Sequence, residues 1–292
     1  MPPQFLVVGH TVQDILTPPG GREAPAWRLG GSASYAALLA SRLGLRTAVL
    51  TAAAPDLPLE EALPRTEIVR VPSARSTQFH NVYTDRGRVQ TIPQRASLID
   101  PASLPAGWRG AEIVLLGPVA GEVDDELAAC FPRAVIGVSA QGWLREIDAD
   151  GRVHPLPPER WQADTLLRPA HVLFVSDEDI PSAGAKPVLE GWSGRVDTLA
   201  YTRGEGGADV YHGGARRHID AFPAQVVDLT GAGDVFATAF LIRYRETDDP
   251  WEASRFADCA ASLIIEAQGL ENTPDLAMIE ARLSAHPEIV AR

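Results

Sequence analysis

Short, continuous apolar runs, several closed by glycine or a small polar residue, alternate with amphipathic stretches along most of this chain. Phe5-Leu-Val-Val-Gly9, Thr47-Ala-Val-Leu-Thr51, Ile113-Val-Leu-Leu-Gly117, Val135-Ile-Gly-Val-Ser139, His171-Val-Leu-Phe-Val-Ser176 and Thr198-Leu-Ala-Tyr-Thr202 all follow this form. An unbroken apolar run of this length suits a strand covered on both faces. Leu29–Gly44 reads as a glycine loop, a serine-capped helix and a glycine stop. The strand–helix–strand opening predicts an α/β fold with a mostly parallel sheet. Val210-Tyr-His and Arg216–Ile219 flank Gly213-Gly214 as a hairpin. Of the closing helices, one starts at the Gly231 turn. Another starts near Pro250-Trp-Glu, with proline in its first turn, and stops at Gly269. A last short helix is predicted over Pro274–Leu283.

Two segments break this rhythm. Thr77-Gln-Phe-His-Asn-Val-Tyr-Thr84 alternates, Asp85-Arg-Gly87 turns, and Arg88-Val-Gln-Thr-Ile92 returns. Asp14–Arg28 is rich in proline and glycine and amphipathic. No helix interrupts either one, so the two are predicted to form a small sheet standing off the main body. There is no repeat and no low-complexity tract.

Composition narrows the picture. A chain of 292 residues makes one large α/β domain or two small ones, and 45% hydrophobic content supplies a sizeable core. No apolar run reaches ~18 residues, so no membrane span is expected. The start, Met-Pro-Pro-Gln, has no basic region ahead of its apolar run, so no secretory signal is expected. Cys130 and Cys259 lie in apolar helical patterns and read as buried thiols, neither a disulfide framework nor a metal cluster. A cytoplasmic protein is the expectation. The net charge of −12 argues against a nucleic-acid partner, which needs a basic face. It also means that an anionic ligand must be held by local devices.

The chemistry concentrates in Asp228-Leu-Thr-Gly-Ala-Gly-Asp234, directly ahead of the apolar helix Val-Phe-Ala-Thr-Ala-Phe-Leu-Ile. Backbone N–H groups at a helix start attract anions, because they lack intrahelical partners and lie at the positive end of the dipole. A carboxylate there would repel a bound anion unless it takes a proton beside it, which is the arrangement phosphoryl transfer to a hydroxyl needs. A plain turn with a dipole-favoured aspartate looks the same locally, so the rest of the chain must decide. The Gly-x-x-x-x-Gly-Lys phosphate loop, a Gly-x-Gly-x-x-Gly after the first strand, and the His-Arg-Asp and Asp-Phe-Gly kinase signatures are all absent. Three weaker elements accompany the main one: Asp14 just past the first strand, Gly30-Gly31 ahead of a helix, and Thr202-Arg-Gly-Glu-Gly-Gly207 after a strand.

In this order, over essentially the whole length, these elements resemble the ribokinase-like (PfkB) carbohydrate kinase family. The resemblance implies a three-layer α/β/α sandwich spanning 1–292, with a central mostly parallel sheet and a small β-sheet lid from residues 13–29 and 75–96. It implies Asp234 as general base, with the N–H groups of Gly231, Ala232 and Gly233 as anion hole. Asp14, Gly30 and Gly31 would hold acceptor hydroxyls. Thr202, Gly204 and Gly207, with Thr230, would line the ATP, and the lid would exclude water.

The chain departs from the family where Asn-x-x-Glu normally organises magnesium. Ser176-Asp-Glu-Asp179 stands there, so Asp179 becomes the candidate that holds Mg2+ through water. Tyr35 replaces an asparagine usual after the two glycines, which turns the reading away from a ribose-type acceptor. Gly137-Val-Ser-Ala-Gln141-Gly-Trp-Leu-Arg145 and Gln268-Gly-x-x-Asn-Thr-Pro274 look like the branch with myo-inositol kinases. There Gln141 would bind an acceptor hydroxyl and Arg145 a phosphate. Equally, Gln141 reads as a strand-end cap and Arg145 as a solvated residue, while Trp143 reads as packing. A potassium-type ion beside Asp228 and a homodimer through the lid complete the expectation. Two other readings stay open: a nucleoside kinase using Tyr35, Phe79 and Trp143, and a non-catalytic binding pseudo-kinase. A phosphate-bearing acceptor would need Arg88, Arg95 and Arg145.

Overall fold

The computed structural model describes residues 1–16, 26–84 and 87–292, without the side chains of residues 16, 82–84 and 87–89. In chain order its strands are β1 Phe5–Val8, β2 Val12–Leu16, β3 Ala26–Gly30, β4 Thr47–Ala53, β5 Thr66–Pro72, β6 Thr77–Thr84, β7 Gly87–Gln94, β8 Ile113–Leu116, β9 Val135–Ser139, β10 Arg145–Ile147, β11 Val153–Pro155, β12 Val172–Ser176, β13 Thr198–Thr202, β14 Ala208–His212 and β15 Ala215–Ile219. Its α-helices are α1 Ser32–Arg42, α2 Leu59–Ala62, α3 Asp164–Leu167, α4 Ser182–Ser193, α5 Ala232–Thr247, α6 Pro250–Ile264 and α7 Leu276–Ala285.

Nine strands form the main sheet in the order β15-β14-β13-β12-β9-β8-β1-β4-β5. From β13 to β5 each neighbouring pair is parallel, and the β14–β15 hairpin adds an antiparallel edge. Alternate residues of one strand serve two cores. Phe5 and Val7 join the layer of α1, α5 and α6, whereas Leu6 and Val8 join the layer holding Trp108, Leu127, Trp161 and α4. That is why these strands read as continuous apolar runs, and it makes the body three layers deep.

The helix that carries the key aspartate is seated on the middle of this sheet. Gly137 in β9 has no side chain, and a Cβ there would stand 2.6 Å from a Leu241 methyl of α5. Phe174 of β12 meets Phe240 of α5 edge-on, with ring centroids 5.5 Å apart. Burying a ring of this size contributes about 1.5–3 kcal/mol. The start of α5 is thereby held at the carboxyl ends of the parallel strands, where open α/β sheets bind their ligands.

The second sheet has four strands in the order β3-β2-β6-β7, with β2 and β6 parallel and the outer pairs antiparallel. Residues 17–25 of the expected lid segment and the turn residues Asp85 and Arg86 lie outside the described residues. The sheet has a small core of Val12, Phe79, Ile92, Val119 and Ala120. Fully buried His10 pins its base. His10 Nδ1 is 2.8 Å from the Thr77 hydroxyl, Nε2 is 2.9 Å from the Ser97 carbonyl, and the backbone N–H donates to Glu122. The β10–β11 hairpin, not anticipated from sequence, covers the β7 edge, where Ile92 N–H donates to the Gly151 carbonyl at 2.7 Å.

Several expectations need correcting. Ser32 does not cap α1. Gly31 occupies the cap position at φ 85°, and Ser32 is the first helical residue. The helix from Pro250 ends at Ile264 rather than at Gly269, and the last helix starts at Leu276, capped by the Asp275 carboxylate. Cys130 lies half-buried in a 3-10 turn, whereas Cys259 is buried in α6. Among the described residues no helix is long and apolar enough to cross a membrane.

Candidate active site

The loop from Asp228 to Gly231 is shaped by what lies beneath it. Gly231 adopts φ 84°, a left-handed conformation, and a Cβ there would meet the Tyr35 ring at 2.3 Å. Tyr35, 1% exposed on α1, thus packs directly against the loop. Only glycine allows both the turn and this approach. Helix α5 then begins at Ala232. The Ala232 N–H leans back to the Leu229 carbonyl at 3.3 Å, while the Gly231 and Gly233 amides carry no backbone hydrogen bond among the described residues. Gly233 is exposed, with open space where a Cβ would be. The turn therefore offers amides to an anion at the positive end of a helix.

Asp234 sits in the first turn of α5. Burial pushes its carboxyl up to about 6, against the lowering effects of the Ser32 hydroxyl and the Arg145 charge, and nearby Asp179 raises it further. The buried Ser32 hydroxyl faces this carboxylate without a fully formed hydrogen bond. Residues from α5, α1, β10 and the loop after β12 thus meet in one group.

Arg145 is not a solvated residue. It donates to the Val119 carbonyl at 2.8 Å and lies over the Phe79 ring of the four-stranded sheet at 5.9 Å. Asp179 accepts from the Ser176 N–H at 3.0 Å and from its hydroxyl at 2.8 Å, both through Oδ2. Burial raises the Asp179 pKa, opposed by the Ser176 hydroxyl and Arg145. A cavity of about 410 Å³ opens beside them, lined by Gln90, Arg145, Arg152, His154, Glu178 and Asp179. Trp143 packs, as expected, stacked on Trp161 with its indole N–H donating to Asp125.

Asp228 has very different surroundings. Its Oδ1 accepts from the Thr230 N–H at 3.0 Å and the Thr230 hydroxyl at 2.7 Å. Its Oδ2 accepts from the Gly269 N–H at 3.1 Å and pairs with Arg28 Nη1 at 2.7 Å. Burial alone would raise its pKa, but these donors outweigh it and hold the carboxyl below its usual value. Both oxygens are spent on protein donors, and one of those donors is a cation. The residues present therefore do not fit a potassium-type ion at Asp228. The Thr230 hydroxyl, expected on the nucleotide side, is turned to Asp228.

The remaining expected residues fall into two groups. Asp14, 7% exposed on β2, sits against Gly30, where a Cβ would come 2.0 Å from its Oδ2. Gly31 brings the chain so close to His10 that a Cβ would lie 2.5 Å from its carbonyl. Tyr35 lies within electrostatic reach of Asp14, Arg28, Asp228 and Asp234; burial first, then Asp14, raises its pKa. Gln141 is half-buried on the 3-10 turn after β9 and, among the described residues, makes no hydrogen bond to the Asp234 group. Thr202 ends β13 in register with Ser176, and its carbonyl accepts the Asp177 N–H at 3.0 Å. Gly204 faces open space, whereas a Cβ on Gly207 would stand 2.0 Å from the Ile219 carbonyl. Gly207 is thus required by the sheet edge itself. No cluster of three or more metal-ligating side chains occurs among the described residues.

Sequence reasoning missed Arg28 as a site residue and read Ser32 only as a cap. Neither sits in a local pattern that names its partner, because both partners lie far along the chain.

Residues 154–276 match the pfkB family of carbohydrate kinases. Cytidine kinase of Thermococcus kodakarensis is 26% identical over 262 residues, spanning 82% of this chain and 88% of that one. Inositol 3-kinase of Zea mays is 30% identical over 255 residues, spanning 80% of this chain and 65% of that one. Among solved structures, a pyrophosphate-dependent kinase of the ribokinase family, complexed with a pyrophosphate analogue and myo-inositol, superposes with TM-score 0.77 at 20% identity, covering 91% of this chain and 96% of that one. Arabidopsis thaliana ribokinase complexed with ribose and ATP superposes with TM-score 0.74 at 20% identity, covering 97% and 99%. At these identities the superpositions show a shared fold.

Proposed function

The chain belongs to the ribokinase-like family of PfkB kinases, and we propose that it transfers the γ-phosphoryl group of ATP to a hydroxyl of a small sugar or polyol, an inositol among the candidates. One observation carries the reading. A carboxylate whose pKa burial raises to about 6 stands in the first turn of a helix whose opening amides face outward. A base titrating there is ionised at neutral pH yet basic enough to accept a hydroxyl proton as the oxygen attacks. The Gly231 and Gly233 amides, with Arg145, meet the charge that develops on the transferred group. Asp14, Gly30 and Gly31 hold acceptor hydroxyls, with Gln141 as a further contact, and Thr202, Gly204 and Gly207 flank the ATP. The lid sheet excludes water.

Asp179 suits a magnesium ion that arrives with the phosphates and keeps several of its waters. Its Oδ2 is spent on Ser176, and it repels Asp234, so a divalent cation held at Asp179 would relieve like charge. When bound, the ion neutralises phosphate charge. The outer edge of β3, with Trp27 42% exposed on it, supports pairing of two lids in a homodimer.

A second reading, a nucleoside acceptor, is supported by the similarity to the cytidine kinase of Thermococcus kodakarensis; Phe79 itself lies in the core of the lid sheet, with Arg145 over its face. A non-catalytic binding module fits less well, since it has no use for a carboxylate with a raised pKa at an anion hole.

Release of ADP from ATP, measured against a panel of inositols, pentoses, hexoses and nucleosides, tests the proposal, with release of inorganic phosphate from pyrophosphate as the comparison for the donor. Turnover with a polyol or sugar is expected. Turnover with nucleosides alone replaces the acceptor, and turnover with pyrophosphate alone replaces the donor. Binding without turnover for every pair overturns the transfer.

A further inference from the structure

Arg28 belongs to the lid, yet its guanidinium reaches the loop that sets up the anion hole. Nη1 lies 2.7 Å from Asp228 Oδ2, and Nη2 lies 3.4 Å from the Thr230 hydroxyl. The stem of Arg28 runs past Gly269, where a Cβ would stand 3.4 Å from its Cδ. Gly269 also donates its N–H to the same Asp228 oxygen. The pair is well shielded, with side chains 25% and 13% exposed. Thr230, whose amide and hydroxyl both donate to Asp228, is the residue immediately before Gly231. The direction of the Gly231 amide is therefore set through Asp228, and Asp228 is held by Arg28.

A nearby positive charge favours the ionised form of a partly buried carboxylate such as Asp228. The family resemblance suggested a monovalent cation, and the donors around Asp228 do not fit one. We propose that Arg28 is the built-in counter-ion of Asp228, that it makes the chain independent of potassium, and that it is a positioning residue tying lid strand β3 to the anion-hole loop. The kinetic part of this rests on the phosphoryl-transfer reading above, whereas the binding part does not. A planar guanidinium that bridges Asp228 and Thr230 holds two groups at once, which a freely exchanging ion does only when bound.

The experiment has a thermal and a kinetic arm, each run in KCl and in tetramethylammonium chloride at equal ionic strength, so that general screening cancels. The wild-type chain is expected to unfold at the same midpoint in both salts. Arg28→Ala is expected to unfold lower and to regain part of the loss in KCl alone. The double variant with Asp228→Asn is expected to show no such gain. In the kinetic arm the wild type turns over equally in both salts. Arg28→Ala drops about tenfold or more without potassium, through misplacement of the loop, and recovers in part with it. Arg28→Lys, which keeps the charge, is expected to stay potassium-independent, and it serves if the alanine variant fails to fold.

A wild-type midpoint or turnover that rises in KCl overturns the proposal without any variant. An Arg28→Ala chain indistinguishable from wild type, or one that loses turnover and responds to potassium in neither arm, also overturns it. If no acceptor is phosphorylated, the kinase reading fails while the thermal arm still decides the role of Arg28.

Discussion

Asp228 opens the loop and Asp234 lies in the first turn of the helix that follows, yet the same side chain is driven in opposite directions at the two places. In both, burial is the largest single influence and favours the neutral acid. At Asp228 the Thr230 amide and hydroxyl, the Gly269 amide and the Arg28 guanidinium overcome it. At Asp234 the Ser32 hydroxyl and the Arg145 charge oppose burial without overcoming it, and Asp179 adds repulsion. The lesson is that donor supply, more than depth, decides which way a carboxylate's pKa moves. Asp228 is spent on holding a loop, whereas Asp234 keeps a raised proton affinity, which the proposed transfer uses.

The most severe way to break this contrast is Asp234→Asn, which preserves shape and removes the base. Turnover is expected to fall by about 10²–10⁴, while calorimetric affinity for ATP persists. Gly231→Ala attacks the frame between the two aspartates. A Cβ at φ 84° and 2.3 Å from the Tyr35 ring forces the loop to shift, so turnover is expected to fall by about 10²-fold as the amides move off the developing charge. Gly233→Ala, in open space, is expected to leave the unfolding midpoint unchanged, and a drop of many degrees there would show the turn to be tighter than described.

Much of this frame is visible in the sequence, because its causes are local. The runs around β1, β8, β9 and β12 are buried on both faces, so they read as strands without help. The stretch from Asp228 to Asp234 concentrates turn, amides and carboxylate in consecutive positions. What lies in contacts between distant segments is much harder to read. Arg28 carries no sign of Asp228 in its neighbourhood, and Ser32 looks like a helix cap because nothing beside it in sequence points to Asp234, the carboxylate it faces. The β10–β11 hairpin is too short and polar to announce itself, although it carries Arg145 to the site. Gly207 teaches the converse: expected beside a nucleotide, it is already required by the Ile219 carbonyl it approaches.

A third carboxylate sharpens the comparison with the smallest effect. Asp258 on α6 accepts the Phe222 N–H at 2.9 Å, and burial raises it to about 6, opposed by that hydrogen bond and by His218. Its folded-state pKa exceeds the unfolded one. Its contribution is therefore fully present at low pH and is lost as pH rises through about 6. Asp258→Asn can still accept from Phe222, so it is expected to raise the unfolding midpoint at pH 8 by roughly 2–4 °C and to change it little at pH 4. A midpoint that falls at pH 8 would show the ionised form to be the one the fold favours.

The central claim, that burial with too few donors makes Asp234 a base poised near neutrality, is tested most directly by the pH dependence of kcat/KM for the wild-type chain. The account predicts a single-proton limb in which kcat/KM falls as pH drops below about 6. A profile that stays flat down to about pH 4, where an ordinary aspartate titrates, would contradict it.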